Sequence, residues 1–108
     1  MALAVTALAG PRLLSSNDAD AKEAATHVVE IKDFIFSPKQ LSVTPGDRIT
    51  WINRDIVPHT ATASDKSWDS GTLKTDEEWQ TTVEAGMYGD YFCRFHPNMK
   101  AKLEIRQT

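Results

Sequence analysis

Between Tyr91 and Lys100 the chain reads Tyr-Phe-Cys-Arg-Phe-His-Pro-Asn-Met-Lys, which places Cys93, His96 and Met99 at intervals of three residues. A thiolate, an imidazole and a thioether are soft or borderline metal donors. In an extended strand, positions three apart are separated by about 10 Å. Donors to one metal must lie far closer together. If these three side chains share a metal, the stretch has to be a tight loop wrapped round a point. The rest of the chain then has to supply a fourth donor and a rigid frame. Cys93 is the only cysteine, so it cannot close an internal disulfide. A lone thiol is buried packing, a reactive nucleophile or a ligand.

The frame reads as β structure. Val29 and Ile31 alternate with Glu30 and Lys32, Leu41 and Val43 with Ser42 and Thr44, and Ile49 and Trp51 with Thr50 and Ile52. Pro38 interrupts the first of these runs, and Pro45-Gly46-Asp47 and Ala85-Gly86 are turn signals. Further strands are expected over 59–63, 78–83, 87–93 and 102–105. Seven or eight short strands with no long helix favour an antiparallel β-sandwich or barrel.

The 108 residues suffice for one domain. The leading stretch differs from the rest: 3–9 is apolar without alternation, and Ala19-Asp20-Ala21 has the small-x-small form of a cleavage site. It reads as the later part of a secretory signal, or else as a disordered or helical leader. Cleavage after Ala21 would leave one domain over 22–108, exported to a periplasm or a similar compartment. The net charge of -3 argues against nucleic acid as a partner, because phosphate binding needs a basic field. No run of about 20 apolar residues is present to span a membrane.

Few other donors are available. Of the three histidines, His27 begins the first strand and reads as a solvated edge residue. Met87 follows Gly86 and reads as packing. His59 follows Pro58 where an irregular segment meets a strand, a place from which a ligand can be aimed. His59, Cys93, His96 and Met99 together make two imidazoles, a thiolate and a thioether. Zinc rarely recruits methionine, whereas this set suits copper, and two His with one Cys and a weak axial Met is the blue-copper arrangement.

The segment Tyr91-Phe92-Cys93-x-x-His96-Pro97-x-Met99, followed by the strand 102–105, resembles the ligand loop of the cupredoxins. Its spacing is the short form, most similar to that of the amicyanins; plastocyanins and pseudoazurins have a longer His-to-Met interval. Asn53-Arg54-Asp55-x-x-Pro58-His59 and Val43-x-Pro45-Gly46-Asp47-x-Ile49-x-Trp51 resemble the family as well. The likeness covers about residues 27–106.

The resemblance implies a Greek-key β-sandwich holding one type 1 copper. It assigns His59 as the N-terminal histidine ligand, Cys93 as thiolate, His96 as the surface histidine and Met99 as the axial ligand. Trp51, Trp79 and Phe92 would pack the frame. It implies a soluble, monomeric electron carrier without substrate turnover, serving redox proteins such as a dehydrogenase, a cytochrome or a reductase. Pro58, Phe95 and Pro97 would form an apolar contact at His96, with Arg94, Lys100 and Arg54 at its rim. The alternative is a copper protein for storage, delivery or sensing. The sequence departs from several relatives at Thr60, where they carry an asparagine that ties two ligand loops together.

Overall fold

The computed structural model describes residues 23–106. It contains eight strands: β1 (Thr26–Lys32), β2 (Ile35–Ser37), β3 (Gln40–Val43), β4 (Arg48–Asn53), β5 (Thr62–Ala63), β6 (Glu78–Thr82), β7 (Asp90–Cys93) and β8 (His96–Ile105). They form two four-stranded sheets, in the orders β2-β1-β4-β6 and β3-β8-β7-β5. The all-β sandwich expected from alternation is therefore present. The proposed cleavage position after Ala21 lies outside the described residues.

The sheets are mixed rather than purely antiparallel. β1 runs parallel to β4, with Val29 opposite Trp51, and β3 runs parallel to β8, with Leu41 opposite Leu103. Alternation specifies which face a strand buries, not the direction of its neighbour. β2 was hidden by Pro38, which lies just beyond its end. The strand expected over 87–93 starts only at Asp90, and the last strand starts early, at His96.

The inward faces meet in one core that includes Val29, Ile31, Phe36, Val43, Ile49, Trp51, Val83, Tyr91, Cys93 and Leu103. Trp51 is fully buried at its centre. It stacks on Trp79 at 5.5 Å and meets Tyr91 edge-on at 5.5 Å. Trp68 adds a further ring, 5.4 Å from Trp51, and donates its indole N–H to the Tyr88 carbonyl. Burial pushes the Tyr91 hydroxyl up to about 12, so it stays neutral at ordinary pH. Phe92 faces away from this cluster and is only half-buried, contrary to its expected place in the frame. His27 is not merely solvated; its Nε2 lies 2.9 Å from an Asp47 carboxylate oxygen.

Candidate metal centre

At one end of the sandwich the β7–β8 hairpin solves the spacing problem. Cys93 and His96 face each other across a two-residue turn, Arg94-Phe95, while Phe92 pairs with Lys100. Pro97, Asn98 and Met99 are therefore extra residues in β8, and the strand arches as a bulge there. The arch turns Met99 inward, where it is buried, while Pro97 and Asn98 stay exposed. The tight loop expected from the spacing is thus a hairpin with a bulge.

His59 arrives from the other side. Its backbone exchanges two hydrogen bonds with Leu73, N–H to O at 3.1 Å and the reverse at 2.8 Å. The preceding irregular segment is held by the fully buried Asn53. Its side chain donates to the Val57 and Leu73 carbonyls and accepts the Asp55 amide. The imidazole is fully buried, with Nε2 lying 2.7 Å from Asp55 Oδ2.

Burial pushes the Asp55 carboxyl up. The Phe34 and Asp33 amides and His59 outweigh that and hold it below its ordinary value of 3.8. Asp55 is thus ionised at neutral pH and can only accept, so Nε2 carries a hydrogen, and in the neutral ring Nδ1 is the atom left to ligate.

This carboxylate is also an acid switch on stability. Because its pKa is lower folded than unfolded, its contribution is present above about pH 4 and is lost as pH falls through the folded value. The urea midpoint of the metal-free protein is expected to hold down to about pH 4 and then drop. Asp55→Asn should make the drop shallower. An unchanged acid slope in Asp55→Asn would contradict the assignment.

The inward atoms converge. Cys93 Sγ lies 3.6 Å from His59 Nδ1 and 3.7 Å from His96 Nδ1, and one donor atom from each of these three residues falls within 4.8 Å of the others. A metal bonded at about 2.0 Å to imidazole nitrogen and about 2.3 Å to thiolate sulfur holds those neighbours about 3.5–3.7 Å apart. The sulfur-to-nitrogen distances match this spacing. Cys93 is fully buried, and its sulfur also accepts the Thr60 amide at 3.4 Å.

Thr60 takes over the tie between ligand segments. Its hydroxyl accepts the Arg94 amide at 2.9 Å and lies 2.9 Å from the Thr62 hydroxyl. Thr62 donates in turn to Asp69, whose other oxygen accepts Arg94 Nε at 3.0 Å. Burial pushes the Asp69 carboxyl up, but the Gly71 amide and Arg94 lead the donors that hold it below its ordinary value. It is therefore acceptor-only at neutral pH. That orients the relay: Thr62 must donate to Asp69 and Thr60 to Thr62, which leaves a Thr60 lone pair for the Arg94 amide.

The outer surface at this end is apolar. Met99, His96, Pro97, Phe95 and Phe34 line one open cavity together with the polar Asn98. Phe34 and Phe95 are about half exposed. Among the rim residues, Arg94 is paired with Asp69 and sits over the Phe95 ring at 5.9 Å. Arg54 is paired with Asp76 at 2.8 Å, and Lys100 is exposed. The expected donors thus meet at one end of the fold. Asn53, Asp55, Thr62, Asp69 and Phe34 were not foreseen; of these, only Asn53 and Asp55 fall within a motif that carries the family resemblance.

A two-sheet sandwich that gathers two imidazoles and a thiolate beside a buried thioether defines a class of small metal-binding β proteins. The chain belongs to the cupredoxin-like domain family, whose model matches residues 3–105. It is 32% identical to amicyanin of Paracoccus denitrificans over 84 residues, which is 72% of this chain and 63% of that protein. The match thus spans less than two thirds of that relative's length. A solved structure of a reduced amicyanin mutant superposes with a TM-score of 0.63 at 32% identity, covering 84% of this chain and 86% of the other. A copper-containing nitrite reductase from Thermus scotoductus shares the fold, with a TM-score of 0.68 at 23% identity over 80% of this chain and 23% of its own.

Proposed function

We propose that the chain is a blue-copper electron carrier in which one copper would be held by His59 Nδ1, Cys93 Sγ and His96 Nδ1, with the Met99 thioether as a weaker fourth donor. The observation that carries the reading is the pair of sulfur-to-nitrogen distances, 3.6 and 3.7 Å, in a donor set that suits copper. Copper bound there supplies a one-electron Cu(II)/Cu(I) couple. The chain's own residues do the rest. Asp55 orients the His59 ring, the Thr60 amide holds the Cys93 sulfur in place, and the Thr60–Thr62–Asp69 relay holds the hairpin behind it. A frame set in this way moves little when an electron arrives, which suits transfer.

The half-buried His96 is the electron's way out, and the surrounding apolar surface is where a partner docks. Pro58, Phe95 and Pro97 form the contact, with Arg94 and Lys100 at the rim. Because Arg94 and Arg54 are already paired with Asp69 and Asp76, they steer an acidic partner less strongly than two free cations would. Such a patch supports a weak, short-lived complex with a dehydrogenase, cytochrome or reductase. The protein acts as an exported, periplasmic monomer, with 22–108 as its working domain and no substrate of its own.

The competing use is copper storage or delivery. Mixing reduced with oxidised protein and measuring electron self-exchange, alongside copper loss to a chelator, separates the two. The carrier reading expects fast electron exchange with copper retained. Fast copper loss with slow electron exchange would overturn it in favour of delivery.

A further inference from the structure

The hairpin joining β1 to β2 has a two-residue loop, Asp33-Phe34, since Lys32 pairs directly with Ile35. Both loop residues have positive φ, 54° at Asp33 and 62° at Phe34. That is the backbone of a type I′ turn, whose preferred sequences are Asn-Gly and Asp-Gly. Aspartate tolerates this region, but a bulky aromatic residue there is strained. Phe34 is moreover 48% exposed, so core burial does not account for it. A residue that fits neither its backbone nor its solvation needs another reason to be there.

The reason lies in what its ring touches. Phe34 meets His96 edge-on, with centroids 4.7 Å apart at 80°, and meets His59 edge-on at 5.3 Å and 88°. The two imidazoles are themselves 5.0 Å apart. Edge-to-face packing is the favoured geometry for such rings. His59 has its own anchors in Asp55 and Leu73. The His96 ring is oriented by the Cys93 sulfur and by the rings of Phe34 and His59.

The turn is in turn locked to the site. The Asp33 amide donates to Asp55 Oδ1 at 2.7 Å and the Phe34 amide to Oδ2 at 3.0 Å. Asp55 therefore holds His59 directly and His96 through the hairpin tip. We propose that Phe34 is a positioning residue for both imidazoles, retained at a glycine-favouring turn position because its ring holds His96 in the ligating orientation before metal arrives. This rests on the ligand set proposed above.

Phe34→Gly tests it cleanly, because Asp-Gly is a better I′ turn than Asp-Phe. Three readouts are taken: the urea midpoint and the His96 ring NMR signals of the metal-free protein, and the rate of copper release to a chelator. The proposal expects an equal or higher urea midpoint. It expects the His96 ring protons to lose their aromatic shift and average between conformers. Copper release should be about 10- to 100-fold faster, the usual scale for removing a residue that orients a ligand. Phe34→Tyr, which keeps the ring, should restore both His96 order and copper retention.

Unchanged His96 signals and release in Phe34→Gly would overturn the proposal. So would a lowered urea midpoint, which would make Phe34 a folding residue, or a folded Phe34→Tyr that fails to restore retention. If the wild type takes up no copper, the ligand assignment fails on its own account, and the metal-free His96 signals still judge the role of Phe34.

Discussion

Cys93→Ser is expected to lower copper affinity by more than about 100-fold while leaving the sandwich folded. Removing a group that merely orients a ligand already costs about 10- to 100-fold in metal affinity, and Cys93 is proposed as a ligand itself. Its sulfur is the point on which both Nδ1 atoms and the Thr60 amide converge. A serine oxygen is a harder donor, shorter in reach, and does not ionise near neutral pH. The fold should survive because β7 keeps its pairing to β8 and β5 through backbone groups. Since the wild-type thiol must lose its proton to bind, wild-type affinity should also fall in acid. Competition against a chelator of known affinity measures both. An affinity for Cys93→Ser within tenfold of wild type would remove the cysteine from the site.

Trp51→Ala should produce the largest loss of stability. Trp51 is fully buried, with Trp68, Trp79 and Tyr91 packed around its ring. Deleting so large a side chain from a packed core costs about 3–5 kcal/mol. That is a large share of the 5–15 kcal/mol or so that holds a small domain together. Its indole N–H lies near the Tyr91 hydroxyl and partly offsets the effect of burial on that group. Trp51→Phe, which keeps a ring in the core, should cost clearly less than Trp51→Ala. Urea unfolding of the metal-free proteins gives the comparison. A loss below about 1 kcal/mol for Trp51→Ala would show that the core closes over the gap and that Trp51 is not its centre.

The legible parts of this protein were those coded by neighbouring residues. Alternation around Val29, Val43 and Trp51 marked strands and their buried faces. Cys93, His96 and Met99 marked a metal by their spacing, and His59 was found because few other donors exist. What escaped depends on contacts between distant segments. Nothing near Phe34 indicates that its ring reaches His96, which lies in another sheet. Asp55 is marked in the sequence only as part of a stretch that resembles the family, yet its carboxylate joins a hairpin tip to a histidine. Asp69 carries no signal in the sequence, and only the fold brings it to Arg94 and Thr62. The parallel pairing of β1 with β4 was hidden for a related reason, because period-two alternation is the same for either strand direction.

Thr60 shows both sides. The likeness to cupredoxins marked it as a departure at the tie between ligand segments. The structure shows a hydroxyl making one of those bonds, to the Arg94 amide, and the rest handed on through Thr62 to Asp69. Rings and relays of this sort set how firmly a site is held, and they are assembled from residues with no common spacing.

The most direct measurement is a titration of the wild-type protein with Cu(II), followed by visible absorption and EPR. An intense red-absorbing thiolate-to-copper band with narrow copper hyperfine splitting is expected, saturating at one copper per chain. A weak visible spectrum with ordinary hyperfine splitting at saturation, or the same intense band in Cys93→Ala, would contradict the blue-copper assignment.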